Sequence, residues 1–84
     1  MFATLKTPVF IDSVIFEFSH PAQDPVRAIL RDEEGSICSR FDTHIPRGLT
    51  SYRWNGLNDL PYGRYTLEIL RGGQAQQMKL IKRV

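Results

Sequence analysis

Apolar and polar residues alternate in steps of two along most of this chain. No window holds apolar side chains at the i, i+3, i+4, i+7 spacing of an amphipathic helix. Successive side chains of a strand point to opposite faces, so each alternating run has one dry face and one wet face. The clearest run sets Tyr65, Leu67 and Ile69 against Arg64, Thr66 and Glu68. Val26, Ala28 and Leu30 alternate in the same way with Arg27, Ile29 and Arg31, and Val14, Phe16 and Phe18 with Ser13, Ile15, Glu17 and Ser19. Residues from Val9 to Ser19 therefore read as a strand in two parts. The spacing predicts further strands from Leu49 to Leu57, with Tyr52 and Trp54 on one face, and from Ala75 to Val84, where Met78 and Leu80 alternate with Lys79 and Ile81. Gln74, Gln76 and Gln77 are expected on the wetter half of that last strand. Met1 to Leu5 is apolar but runs into Lys6-Thr7-Pro8, which places a first strand at a sheet edge or stops it.

The connections are punctuated by turn residues. Asp32-Glu33-Glu34-Gly35 predicts a hairpin with a three-residue loop and a bulge, Gly35 taking the left-handed position. The bulge shifts parity in the returning strand, from Ser36 to Phe41, and Ile37 is expected to face inward because it is larger and more apolar than Cys38. Arg71-Gly72-Gly73-Gln74 is a two-residue hairpin signal, since two glycines supply the positive φ of a primed turn. Leu60-Pro61-Tyr62-Gly63 suits a type I turn, and Gly63 is expected in a conformation that side chains disfavour. His20-Pro21 and Asp24-Pro25 bracket a loop, and Asp42 to Gly48 reads as a connection that crosses between sheets. Strand and turn units recurring about every ten residues predict an all-β antiparallel β-sandwich of six or seven strands, with residues 1–84 as a single domain. Its expected core is Phe16, Phe18, Leu30, Trp54, Tyr65, Leu67, Ile69 and Leu80, and its fold-determining positions are Gly35, Trp54, Pro61, Gly63 and Tyr65.

Composition narrows the functional classes. A chain of 84 residues can bury a core without metal or disulfide, and its formal charge of +2 is too small to imply nucleic acid. Its single cysteine, Cys38, excludes an internal disulfide. The N-terminus shows no basic segment followed by an apolar one, and no run is long enough for a membrane-spanning helix. The expectation is a secreted or cell-surface location for a part of a larger exported protein, and a cytoplasmic one for a free-standing chain.

His20, Cys38, Asp42 and His44 are residue types that bind zinc, but none stands at the short paired spacing of a structural site. Ser39, Asp42 and His44 contain the ingredients of a nucleophilic triad without a visible oxyanion hole. Neither a glycine-rich phosphate loop nor a dinucleotide fingerprint occurs. The expectation is therefore a non-enzymatic module with no metal and no cofactor. Two cationic groups are candidates for binding. Arg27 and Arg31, joined by Arg40 across the hairpin, form one stripe, which Glu17, Glu33 and Glu34 are placed to neutralise. Lys79, Lys82 and Arg83 form the other, on a last strand where lysines also deter edge-to-edge pairing. Trp54, Tyr52 and Tyr62 suggest a sugar-stacking platform, against the simpler reading of Trp54 as a core aromatic between sheets.

Three segments carry a resemblance. Val26-Arg27-Ala28-Ile29-Leu30-Arg31-Asp32-Glu33-Glu34-Gly35 is a strand ending in Asp-x-x-Gly, Leu57-Asn58-Asp59-Leu60-Pro61-Tyr62-Gly63-Arg64-Tyr65 has the pattern Leu-x-x-Leu-Pro-x-Gly-x-Tyr, and Met78 to Val84 is a lysine-flanked final strand. Together with Phe16-Glu17-Phe18 they resemble the small Ig-like sandwiches at the C-termini of bacterial secreted and surface proteins. The type IX secretion sorting domain and the Ig-like domain of the flagellar hook-cap scaffolding protein are two such groups. The resemblance implies an interaction or assembly module whose partner is another protein or the secretion machinery, with Lys79, Lys82 and Arg83 in the recognised surface. A carbohydrate-binding module is the alternative, and a weak homodimer through an edge strand is a further expected association.

Overall fold

The computed structural model describes residues 3–19, 25–44 and 50–83. Period-two patterning becomes eight strands among them: β1 (Ala3–Leu5), β2 (Val9–Phe10), β3 (Val14–Phe18), β4 (Pro25–Arg31), β5 (Ile37–His44), β6 (Ser51–Trp54), β7 (Gly63–Arg71) and β8 (Gln74–Lys82). They form a three-stranded sheet in the order β1-β3-β6 and a five-stranded sheet in the order β2-β8-β7-β4-β5. The fold is the expected all-β sandwich. Its strand count exceeds six or seven because the two parts of the 9–19 stretch belong to different sheets. Phe10 ends β2 in the larger sheet and Val14 begins β3 in the smaller one. All pairings are antiparallel except β2 with β8, which is parallel. The orders put β3 and β6 in one sheet and β4, β7 and β8 side by side in the other, as the corresponding strands lie in an Ig-like sandwich.

Burial follows the alternation. Phe16, Phe18, Leu30, Trp54, Tyr65, Leu67, Ile69 and Leu80 are all buried, joined by Val14, Val26 and Ala28 from the same faces. Full burial of one such side chain contributes about 1.5–3 kcal/mol, a large share of the roughly 5–15 kcal/mol that holds a small domain folded. The two sheets meet through rings. Phe41 of β5 packs edge-on against Trp54 of β6, centroids 4.7 Å apart, and stacks on Tyr52 at 5.2 Å. Phe16 lies 5.7 Å from Tyr52 and 5.6 Å from Phe18, which extends the layer along β3. Phe10 and Leu57, which the alternation did not single out, are buried as well. Leu57 is held by its N–H donating to the Asp12 carbonyl at 3.0 Å.

The Asp32 hairpin has the expected form. Gly35 has φ +87° and donates to the Asp32 carbonyl, while Asp32 Oδ1 accepts from the Glu34 and Ser36 N–H groups. The register shifts between Leu30 and Arg31, whose partners are Ser39 and Ile37. Cys38 is thus the extra residue, and it packs against the core while Ile37 is 50% exposed. The inward assignment of Ile37 is corrected: bulge geometry, not side-chain size, decides which residue turns in. Gly72 and Gly73, at φ +54° and +83°, make the primed turn between β7 and β8.

The connection between sheets after β5 is as expected in direction, since β5 and β6 lie in different sheets, but Asp42, Thr43 and His44 are still strand. The remainder of that loop, and the loop containing His20, lie outside the described residues. Gln76 also departs from expectation. Its side-chain amide is turned to the other sheet, accepting from the Ala3 N–H at 3.0 Å and donating to the Ala3 carbonyl, so it pairs with β1 as a peptide group would.

Before β7, the hydrogen-bonded turn falls three residues earlier than the proline motif suggests. Leu60 N–H donates to the Leu57 carbonyl at 3.4 Å. Leu60 to Gly63 is instead held by a side chain: the Tyr65 hydroxyl donates to the Pro61 carbonyl at 2.6 Å. That is the tyrosine corner of Ig-like sandwiches. Gly63 has φ +144°, and a Cβ there would meet no atom within 4 Å, so its restriction is backbone strain and not crowding. Replacing Gly63 by Val is expected to cost about 1–3 kcal/mol through that strain. Replacing Tyr65 by Phe keeps the ring and loses the bond, at about 1 kcal/mol. Thermal melting should then fall by roughly 4–8 °C for each kcal/mol. An unchanged midpoint in Tyr65→Phe would show that the corner bond is not formed in solution.

Candidate interaction surface

The outer face of the five-stranded sheet carries charges of both signs and three exposed large apolar side chains, Val9, Ile37 and Ile81. Register sets them in rows. Lys79, Thr66, Arg31 and Ile37 stand side by side across β8, β7, β4 and β5, followed by Gln77, Glu68, Ile29 and Arg40, then by Ala75, Leu70, Arg27 and Asp42. At the other end Val9, Ile81 and Arg64 form a shorter row. Directly opposed residues of neighbouring strands share a face, so a charge on this face meets its partners across the sheet.

Arg27 and Arg31 lie on this face as expected, but their counter-charges are different ones. Arg27 Nε donates to Asp42 Oδ1 at 2.7 Å, and the bond and charge of Asp42 raise the guanidinium pKa further above its ordinary value. Arg31 donates to the Gly35 carbonyl at 3.0 Å and stands 3.9 Å from Glu68. Glu17 sits on the other sheet, paired with Thr4 and Ser51, so its expected neutralising role is corrected. Register, which the local sequence does not show, chose Asp42 and Glu68. Arg40 is exposed and has no ion pair among the described residues.

The C-terminal group is divided by parity. Lys79 is exposed, donating to Thr66 Oγ1 at 3.0 Å, and Arg83 is exposed as well. Lys82 is only 3% exposed. It follows Met78 and Leu80 onto the inner side, where its amine lies 5.9 Å from the Phe10 ring and 5.6 Å from the Tyr62 ring and donates to the Arg83 carbonyl at 3.1 Å. The expectation of a solvent-facing charge at Lys82 is corrected: two ring faces and a carbonyl hold the ammonium at the end of an apolar stem. The aromatic trio is divided too. Trp54 and Tyr52 are in the ring layer between the sheets, and Tyr62 is 65% exposed.

Sequence reasoning missed the groove beside this face. About 670 Å³ in volume, it is lined by Val9, Ile81, Arg64 and Lys79, with Asp32 and Glu33 at one end. The signal was present in the parity of β8, which puts Ile81 beside Lys79 in the outward set. Val9 and Ile81 are exposed large apolar residues in register with each other.

Among the described side chains the other candidates do not come together. Ser39 pairs with buried Leu30 and Asp42 with exposed Arg27, so they lie on opposite faces of β5. Among the described residues no three His, Cys, Asp or Glu side chains converge as metal ligands, and His20 is outside them. No described helix is long and apolar enough to cross a membrane. No model of a known protein family matches the chain, and no curated protein matches it.

Burial, then the Asp32 carboxylate, pushes the Cys38 thiol above its ordinary value, and burial does the same to Tyr65, reinforced by Cys38 and Asp32. Both groups are favoured in their protonated form by folding. Their contribution is present below the unfolded pKa values, about 8.5 for a thiol and 10 for a phenol, and is lost as pH rises through the higher folded ones. Melting temperature is therefore expected to decline in alkali above about pH 8.5. A melting series from neutral to alkaline pH checks this, and Cys38→Ala should remove the earlier part of the decline while leaving the part due to Tyr65.

Proposed function

We propose that this chain is a non-catalytic interaction module that binds a protein partner across the outer face of its five-stranded sheet. The observation that carries the reading is the exposed Val9 and Ile81 strip in an open groove whose lining also includes Arg64, Lys79, Asp32 and Glu33. An apolar strip with charges of both signs at its rim has the anatomy of a protein-binding patch. A sugar-stacking platform has less support, because two of its three aromatics are engaged between the sheets. A photo-crosslinking residue at Ile81 is expected to yield a discrete adduct larger than a dimer of this chain in cells of its source. One at Arg53, on the outer side of β6, is expected to yield none. Equal adducts from both positions, or none from Ile81, would reject the assignment.

The resemblance to sorting and hook-cap domains supports a narrower version, in which the partner belongs to a secretion or assembly machine. β8 lies between β2 and β7 with Leu80 and Lys82 turned inward, so truncating it would remove core. Exposed charges test the idea more cleanly. Residues 1–84 fused behind a signal peptide and a reporter, in a bacterium with type IX secretion, should deliver the reporter to the surface, and Lys79→Glu with Arg83→Glu should abolish delivery without lowering protease resistance. Reporter retained in the periplasm by the intact domain would reject sorting.

A further inference from the structure

We infer that the outer edge of β5 pairs with the same edge of a second copy of this chain, antiparallel and centred on Phe41. The inference goes beyond the interaction module proposed above and does not depend on it. It uses the sheet edge, whereas the hetero-partner was assigned to the face.

β5 ends the five-stranded sheet, and among the described residues no strand pairs with its outer side. The other sheet ends are short: three residues in β1, four in β6, and two in β2, which follows Pro8. β5 has eight residues and contains no lysine or proline, the usual guards against edge pairing. Its bulge, at Cys38, lies near the start of the strand, so the regular stretch from Ser39 to Thr43 presents a row of backbone donors and acceptors to another strand.

Charge selects both the partner and the register. Directly opposed residues of an antiparallel pair share a face, so outward-facing Arg40 must meet an outward-facing residue of the second strand. Centring the pair on Arg40 sets arginine against arginine, and centring it on Asp42 sets aspartate against aspartate. Centring it on Phe41 sets Arg40 of each chain against Asp42 of the other, with Ser39 opposite Thr43. Arg40, which has no ion pair among the described residues, gains a carboxylate there. Asp42 can serve both cations, because Arg27 engages Oδ1 and a carboxylate retains a second oxygen. β5 is thus complementary in charge to itself in one register.

A contact of this size is weak, so association is measured over a wide dilution from millimolar protein by analytical ultracentrifugation, and by amide resonances that shift on dilution. The expected result is a monomer–dimer equilibrium, with dilution shifts confined to β5 and its neighbours. Arg40→Asp alone and Asp42→Arg alone each replace both ion pairs by like-charge contacts and should weaken association about tenfold or more. Mixed together, the two variants should form a heterodimer, since each then offers the charges the other lacks. A wild-type chain that stays monomeric at millimolar concentration, or a dimer indifferent to both substitutions, would overturn the proposal. So would dilution shifts that avoid β5, a readout that needs no variant to fold. Failure here leaves the crosslink at Ile81 standing, and failure of that crosslink leaves the β5 equilibrium standing.

Discussion

The fold depends on two sheets closing over one layer of rings. Tyr52, Trp54 and Phe16 come from the smaller sheet, Phe41 from the edge strand of the larger, and their centroids lie between 4.7 and 6.5 Å apart. Offset and edge-on rings contribute dispersion and quadrupole attraction beyond the area they bury. The consequence for topology is that β5 cannot leave the sheet without withdrawing Phe41 from the smaller sheet's aromatics. An edge strand that would otherwise fray is therefore anchored from its inner side, while among the described residues no strand pairs with its outer side.

At the opposite end of the larger sheet, order is imposed by the tyrosine corner. Tyr65 holds the Pro61 carbonyl through its hydroxyl and packs edge-on against Phe10 through its ring, 5.9 Å between centroids. One side chain thus ties the connection that enters β7 to the strand that has crossed from the other sheet. β2 is further secured by Ile81 N–H on the Pro8 carbonyl and Arg83 N–H on the Phe10 carbonyl. These bonds keep Val9 beside Ile81, and the floor of the groove follows from them.

What could be read in the sequence is what depends on neighbours one or two residues away. Alternation in Tyr65-Leu67-Ile69 and Val26-Ala28-Leu30 identified the buried faces, and paired glycines identified the turn between β7 and β8. What could not be read depends on register and on distant strands. Ile37 and Cys38 exchanged places because a bulge adds one residue to one strand only. Lys82 went inward because parity, counted from Leu80, outweighs charge once two rings and a carbonyl are there to receive an ammonium. The spacing of Pro61 and Tyr65 did contain a legible signal for the corner. Read for turn propensity alone, the same residues pointed to a backbone bond where a side-chain bond is used.

The site was less legible than the fold, and the reason lies in how sheet surfaces are composed. Charges an even number of residues apart on a strand look like a stripe in sequence, as Arg27 and Arg31 did. On the sheet each is answered from a different neighbour, Arg27 by Asp42 on β5 and Arg31 by Glu68 on β7. Net charge then says little about what the face attracts, because potential within a few ångströms is set by rows of opposed partners and is screened beyond about 8–10 Å. Recognition by such a face turns on which rows are incomplete. Val9 and Ile81 are an exposed apolar row, and Arg40 is a cation whose row ends at the edge strand of the described sheet.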